Sequence, residues 1–94
     1  MPRVLRIALV SSRSRPYASA ENLNGHAAWV ARAVAQGARF VGFPEASLTG
    51  YVKDPRAAIT LDSPAVRGLV GLARRHRAFL AAGLVEAGGG RFYN

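Results

Sequence analysis

Residues 4–10, VLRIALV, are nearly all apolar. A run that short with so little polarity fits a strand buried on both faces, as in a parallel sheet. The following SSRSRPYASA breaks the pattern with serines and a proline and reads as a loop. Leu23, Ala27, Val30 and Val34 then recur at i, i+4, i+7 and i+11, one face of a helix predicted over residues 20–36. Ser19 stands where a capping hydroxyl is expected, Glu21 falls in the first turn, and Gly37 sits where a left-handed residue closes a helix. Phe40 to Phe43 form the second predicted strand, which Pro44 ends because proline has no N–H to give a ladder.

Residues 46–62 show no clear period and hold Gly50, Pro55 and Asp62. They make a long connection, and long connections are often functional. Ser63–Pro64 is a helix start, a hydroxyl cap followed by proline at the first position. Val66, Leu69, Val70 and Ala73 are the expected buried face of a helix that runs to about His76, with Arg74, Arg75 and Arg77 at its cation-favouring end. AFLAAGLVE, residues 78–86, is predicted as a third strand; Gly88–Gly89–Gly90 is a turn, and RFYN opens a fourth strand in a hairpin with the third. The order β-α-β-loop-α-β-β implies an α/β layer fold with right-handed crossovers. The last element stops at Asn94 after a few residues, so the chain is expected to end on a cut within a domain.

Composition narrows this little further. Half of the 94 residues are hydrophobic and 19% charged, which is globular composition. No segment approaches the roughly 18 apolar residues of a membrane span. The first apolar run is too short for a signal-peptide core, so a cytoplasmic protein without membrane partners is expected. There is no cysteine, which excludes disulfides, thiolate metal sites and a cysteine nucleophile within the chain. The net charge is +8, and every basic residue but Lys53 is arginine. A small basic nucleic-acid-binding module is the alternative this raises. The arginines of residues 3–15 and 74–77 are not interleaved with aromatics as in a single-strand binder, and no nucleic acid is expected as partner.

The candidate chemistry lies in FVGFPEASLTGY, residues 40–51. In α/β sheets functional side chains gather beyond the carboxyl ends of the strands, and Glu45 follows a strand directly. There a carboxylate is expected to be partly desolvated, as suits a general base. A loop-opening glutamate that caps backbone amides is the competing account.

GARFVGFPEASLTGY resembles the catalytic-glutamate signature of the nitrilase superfamily, the carbon–nitrogen hydrolases, through Phe43, Pro44, Glu45, Gly50 and Tyr51. The resemblance extends over essentially the whole chain: RIALV to the first strand, Asn22–Leu23 to an asparagine that opens the first helix, and LAAGLVEAGGGRFYN to the third strand and hairpin. It implies that residues 1–94 are the N-terminal β-α-β-α-β-β part of a nitrilase-like α-β-β-α sandwich, incomplete and apparently truncated, beginning at a genuine Met1. It also implies a Glu–Lys–Cys triad that hydrolyses a small-molecule amide or nitrile without cofactor or metal, in a homo-oligomer when full length. Glu45 carries over as the base. The cysteine and catalytic lysine do not, since both lie beyond the Tyr-Asn region in that family. Lys53 is out of place in the motif order and is expected to be a solvated loop residue. Ser11–Ser12 stand where the first strand of the family often ends in glutamine, which leaves the subfamily open. By itself the chain is expected to be inactive, to expose a sheet face or edge, and to be poorly soluble or dye-binding. A catalytically inactive pseudoenzyme fragment is a further alternative.

Other residues are weaker candidates. Tyr51 is a substrate-binding candidate, though packing of its loop onto the sheet is the expected role. Glu86 ends the predicted third strand as Glu45 follows the second, so the two carboxylates could share one sheet edge; a hairpin-edge role is the plainer expectation. His26 and His76 lack a metal-ligand partner at i+4 and are expected at the surface or hydrogen-bonded. Trp29 is expected to pack against a neighbouring layer.

Overall fold

Three short parallel strands, β1 (Ile7–Leu9), β2 (Phe40–Gly42) and β3 (Phe79–Ala81), form a sheet in the order β1-β2-β3 in the computed structural model, which describes residues 3–94. The start at Met1 lies outside the described residues. Helix α1 (Ser19–Ala35) connects β1 to β2, and α2 (Pro64–His76) leads into β3. A separate antiparallel hairpin pairs β4 (Glu86–Gly88) with β5 (Arg91–Tyr93). Its two-residue turn needs positive φ at both positions, which Gly89 and Gly90 supply at 57° and 75°.

Register explains the layering. Ala8, Val41 and Leu80 are aligned across the three strands and point to one face. That face packs on α1 through Val30, Ala33 and Val34, with Val30 and Val41 fully buried. Helix α2 packs on α1, where Gly68 admits Leu23: a Cβ there would stand 2.3 Å from Leu23 Cδ2. The opposite face carries the aligned residues Ile7, Phe40 and Phe79, and two residues along, Leu9. No described element covers it. Leu9 is 83% and Phe79 75% exposed.

Most boundaries follow the pattern in the sequence, and several departures have physical causes. Ser19 is not the cap of α1: Ala18 occupies that position without a side-chain bond, Tyr17 before it is left-handed at φ 61°, and Ser19 is already helical. The carboxyl end is closed as expected by Gly37 at φ +92°, and Arg6 adds a guanidinium bond of 2.9 Å to the carbonyl of Gln36. Ser63 does cap α2, accepting from the amide of Val66, with Pro64 behind it. The buried face of α2 is rotated from the expected one: Ala65 and Leu72 are buried and Val70 is exposed, because contact is made along one flank with α1. The predicted strand 78–86 is broken in two. It leaves the sheet after Ala81, and Glu86 opens β4 in the hairpin instead of ending β3.

The bare sheet face has a measurable consequence. We expect the chain to bind a neutral solvatochromic dye, and to associate as added salt screens its +8 charge. Sedimentation velocity across a salt series tests this. A dye-silent monomer at every ionic strength would mean that the face is closed.

Candidate functional site

Strand β2 lies in the middle of the sheet, and its carboxyl end delivers Phe43, Pro44 and Glu45. Immediately after Glu45 the chain turns left-handed: Ala46 has φ 53°, a conformation that costs a non-glycine residue about 1–2 kcal/mol. Residues 46–50 then run inward and are all buried, whereas Glu45 is exposed. The turn therefore displays one carboxylate on a buried support. Glu45 is not desolvated as expected. Its Oε1 accepts a 2.6 Å hydrogen bond from Nδ2 of Asn94, which the hairpin carries back to this edge.

The strained turn is held by polar groups underneath it. The Ser47 amide donates to the Pro44 carbonyl at 3.1 Å, and the Gly50 amide to the Ala46 carbonyl at 2.8 Å. Leu48 donates to the carbonyl of Gly83 at 2.8 Å, and the Gly83 amide donates to Oγ of Ser47 at 3.3 Å. The Val85 amide donates to Oγ1 of Thr49 at 3.1 Å. These bonds pull residues 82–85 out of the sheet and under the turn, which is why the predicted third strand breaks. Only glycine fits at the crossing, since a Cβ on Gly83 would lie 2.1 Å from the Ala46 nitrogen.

Helix α1 supplies the rest of the support. Asn22 accepts from the Arg15 amide at 2.9 Å and donates to the carbonyls of Arg15 and Leu48 at 2.8 and 3.0 Å. His26 is 3% exposed, with Nδ1 2.6 Å from the Asn22 carbonyl and Nε2 2.8 Å from Ser47 Oγ. Its ring lies 4.2 Å from that of Phe43. The expectation that His26 is a satisfied residue is met, by a buried network. Asn22, His26 and Val30 recur every fourth residue as one buried stripe on α1, so two polar residues beside an apolar face were the available signal. The supporting roles of Ser47, Thr49 and Gly83 had none in composition.

Other candidates fall elsewhere. Tyr51 does not pack its loop onto the sheet; it is 70% exposed and lines a groove of about 270 Å³ with Lys53, Val85, Phe92 and Tyr93 beside Asn94. Lys53 is exposed, as expected. Glu86 sits in the hairpin, bridged through its neighbours to Ile59, so it does not share the edge of the parallel sheet with Glu45. Trp29 is not covered by a second layer among the described residues; its indole faces the Arg32 guanidinium at 5.3 Å. His76 is half-buried at the end of α2. The loop that follows Tyr51 is tied to the loop before α1 by Tyr17, whose hydroxyl donates to Asp54 at 2.5 Å. The fork of Arg56 first, and Tyr17 second, hold Asp54 well below the usual carboxylate range. Among the described residues no group of three or more acidic or histidine side chains could hold a metal, and no helix is long and apolar enough to cross a membrane.

Burial lowers the pKa of His26 from its ordinary 6.5, against a smaller raising effect of the Asn22 carbonyl. Arg13, Arg15 and Glu21 line the cavity beside this ring, and Phe43 and Ser47 face it from beyond β2. The unfolded chain thus takes up a proton near pH 6.5 that the folded chain refuses. The stabilisation is fully present above that pH and is lost as pH falls toward the folded-state pKa. The thermal midpoint is expected to drop between pH 7.5 and 5, and His26→Gln to flatten that slope. An unchanged slope in the variant would assign the effect to other groups.

Set against known proteins, residues 6–94 match the sequence profile of the family described as carbon-nitrogen hydrolase. Similar solved structures include an amidase from Nesterenkonia sp., at 31% identity and a TM-score of 0.77, over 94% of this chain and 34% of that one. A variant of the Nesterenkonia AN1 amidase from the nitrilase superfamily matches at 32% identity and 0.76, over 86% and 32%. A double variant of the amidase from Nesterenkonia sp. AN1, in complex with acrylamide, matches at 30% and 0.78, over 98% and 36%. The chain spans about a third of the length of these structures. Among curated proteins no relative matches.

Proposed function

Because the chain belongs to the carbon-nitrogen hydrolase family and has the fold of its amidases, we propose that it is the N-terminal, base-bearing part of an amide- or nitrile-directed hydrolase, with Glu45 as the general base. The observation that carries this reading is the display of Glu45: one exposed carboxylate at the end of the central strand, followed by a left-handed turn in which residues 46–50 are all buried. A glutamate that merely opened a loop would need no such support. The amidase seen with acrylamide makes a small aliphatic amide the first substrate to try.

In the proposed reaction Glu45 takes the proton of a cysteine thiol supplied by the remainder of the complete enzyme. The thiolate attacks the amide carbon, the nitrogen leaves as ammonia or amine with that proton, and a thioester remains. Glu45 then takes a proton from water, whose oxygen attacks the thioester carbon; the thiolate leaves and takes that proton back from Glu45, and the acid is released. A lysine, also from the remainder, stabilises the oxyanion in both halves. Lys53 is not assigned that part, because it lies in the loop after Glu45.

The chain has no cysteine, so it is expected to form no acyl adduct when incubated alone with a short aliphatic amide, by intact-protein mass spectrometry. The complete enzyme, quenched during turnover, is expected to show one. An adduct on this chain alone would overturn the assigned chemistry, as would turnover by the complete enzyme without any thioester.

A further inference from the structure

We propose that His26 is a positioning residue: as the neutral ring protonated on Nδ1, it accepts the Ser47 hydroxyl and fixes the turn that displays Glu45. The positional argument stands on geometry; its catalytic meaning rests on Glu45 being the base.

Hydrogen-bond accounting assigns each proton. Nδ1 is 2.6 Å from the carbonyl oxygen of Asn22, which can only accept, so Nδ1 carries a hydrogen. Ser47 Oγ already accepts the Gly83 amide at 3.3 Å, so its own proton is free to point at Nε2, 2.8 Å away. Nε2 in a neutral ring is the acceptor that proton needs. Were Nε2 also protonated, Ser47 Oγ would face two donors and its hydroxyl hydrogen would have no partner in the network. Ser47 is 2% exposed, so water is a poor substitute.

One chain of bonds thus runs from the backbone of α1, through the imidazole and the Ser47 hydroxyl, to the backbone of residue 83. It closes beneath the left-handed Ala46, and Ser47 is two residues from Glu45. The exposed Glu45 carboxylate has one side-chain hydrogen bond among the described residues, from Asn94, and the turn sets where that carboxylate stands. Loss of the imidazole acceptor leaves the strained turn free to relax, and a displacement of about 1 Å at a reacting group can cost on the order of 10²-fold in rate.

The first test needs no activity. The chain, with side-chain 15N-labelled histidine at low ionic strength, is expected to show His26 with a protonated Nδ1 and a hydrogen-bonded, unprotonated Nε2. His76→Gln makes the assignment, and Ser47→Ala is expected to shift the Nε2 resonance toward that of a free acceptor. A ring protonated on Nε2, or an averaged pattern, overturns the proposal even if no variant folds. The second test uses the complete hydrolase and a short aliphatic amide. Ser47→Ala and His26→Gln are expected to lower kcat by about 10²-fold with KM little changed. Wild-type kcat in both variants overturns the proposal when Glu45→Gln is inactive. Turnover by Glu45→Gln would instead sink the assignment of the base, whatever His26 does.

Discussion

Glu45→Gln in the complete hydrolase is expected to lower kcat/KM for an amide by at least about 10²–10⁴-fold, with the fold intact. General-base catalysis alone is worth that much, and here the same carboxylate would act twice, once on the thiol and once on water. The substitution removes a proton acceptor but little else. Gln retains an oxygen for the Asn94 side chain, which now approaches Glu45 Oε1 at 2.6 Å. Because Glu45 is exposed, no buried charge is lost and no cavity opens. Glu86→Gln is the control and is expected to cost much less, since Glu86 lies in the hairpin and not at the end of β2. Circular dichroism establishes folding and steady-state kinetics give the rates. Near-normal turnover by Glu45→Gln would make the glutamate a structural residue.

Gly83→Ala is expected to be the most damaging single change to stability, at about 3 kcal/mol or more, beyond the usual range for one added carbon in a packed site. The added carbon would run into the backbone of residues 45 and 46: the Ala46 nitrogen at 2.1 Å, the Glu45 carbonyl carbon at 2.9 Å and Ala46 Cα at 3.0 Å. No rotamer change relieves a clash with main chain. The segment must withdraw, and with it go the Leu48 amide bond to residue 83 and the residue-83 amide bond to Ser47. For a domain of this size the midpoint should fall by roughly 12 °C or more, at about 4–8 °C per kcal/mol. Gly71→Ala is the matched control. It lies in α2 with nothing within 4 Å of its added Cβ, and should stabilise by about 0.5–1 kcal/mol. Equal midpoints for the two variants, by differential scanning calorimetry, would show that the crossing is looser than the structure has it.

The parts of the fold legible in the sequence are those set by local rules. The four-residue recurrence of apolar residues gave α1 to within one residue at each end, and Ser63–Pro64 marked the start of α2. Gly88–Gly89–Gly90 marked the hairpin turn, which Gly89 and Gly90 form, whereas Glu45 stood out through its place after an apolar strand together with the resemblance of its surroundings to the nitrilase signature. What was illegible depends on partners distant in sequence. AFLAAGLVE is continuous in hydrophobicity, yet it splits because Ser47 and Thr49, 36 residues earlier, bond residues 83 and 85. Tyr51 looks like a packing residue by type, but no described element lies over it. His26 shows the same limit. It was expected at the surface or hydrogen-bonded, and only the folded chain brings Ser47 to its ring.

The central position of β2 also has a kinetic consequence. Its pairing with β1 joins residues 33 apart, and its pairing with β3 joins residues 39 apart, as in Ile7 with Phe40 and Phe40 with Phe79. No strand of this sheet can find its neighbour through a tight turn, so each must wait for a helical crossover to form and dock. The turn after Glu45 also waits on the second crossover, because its ties reach forward to residues 83 and 85, which follow β3. Interactions completed that late are largely absent from the rate-limiting barrier. Substitutions at the turn should therefore speed unfolding far more than they slow folding, so that residence time in the native state is where damage at this site is felt.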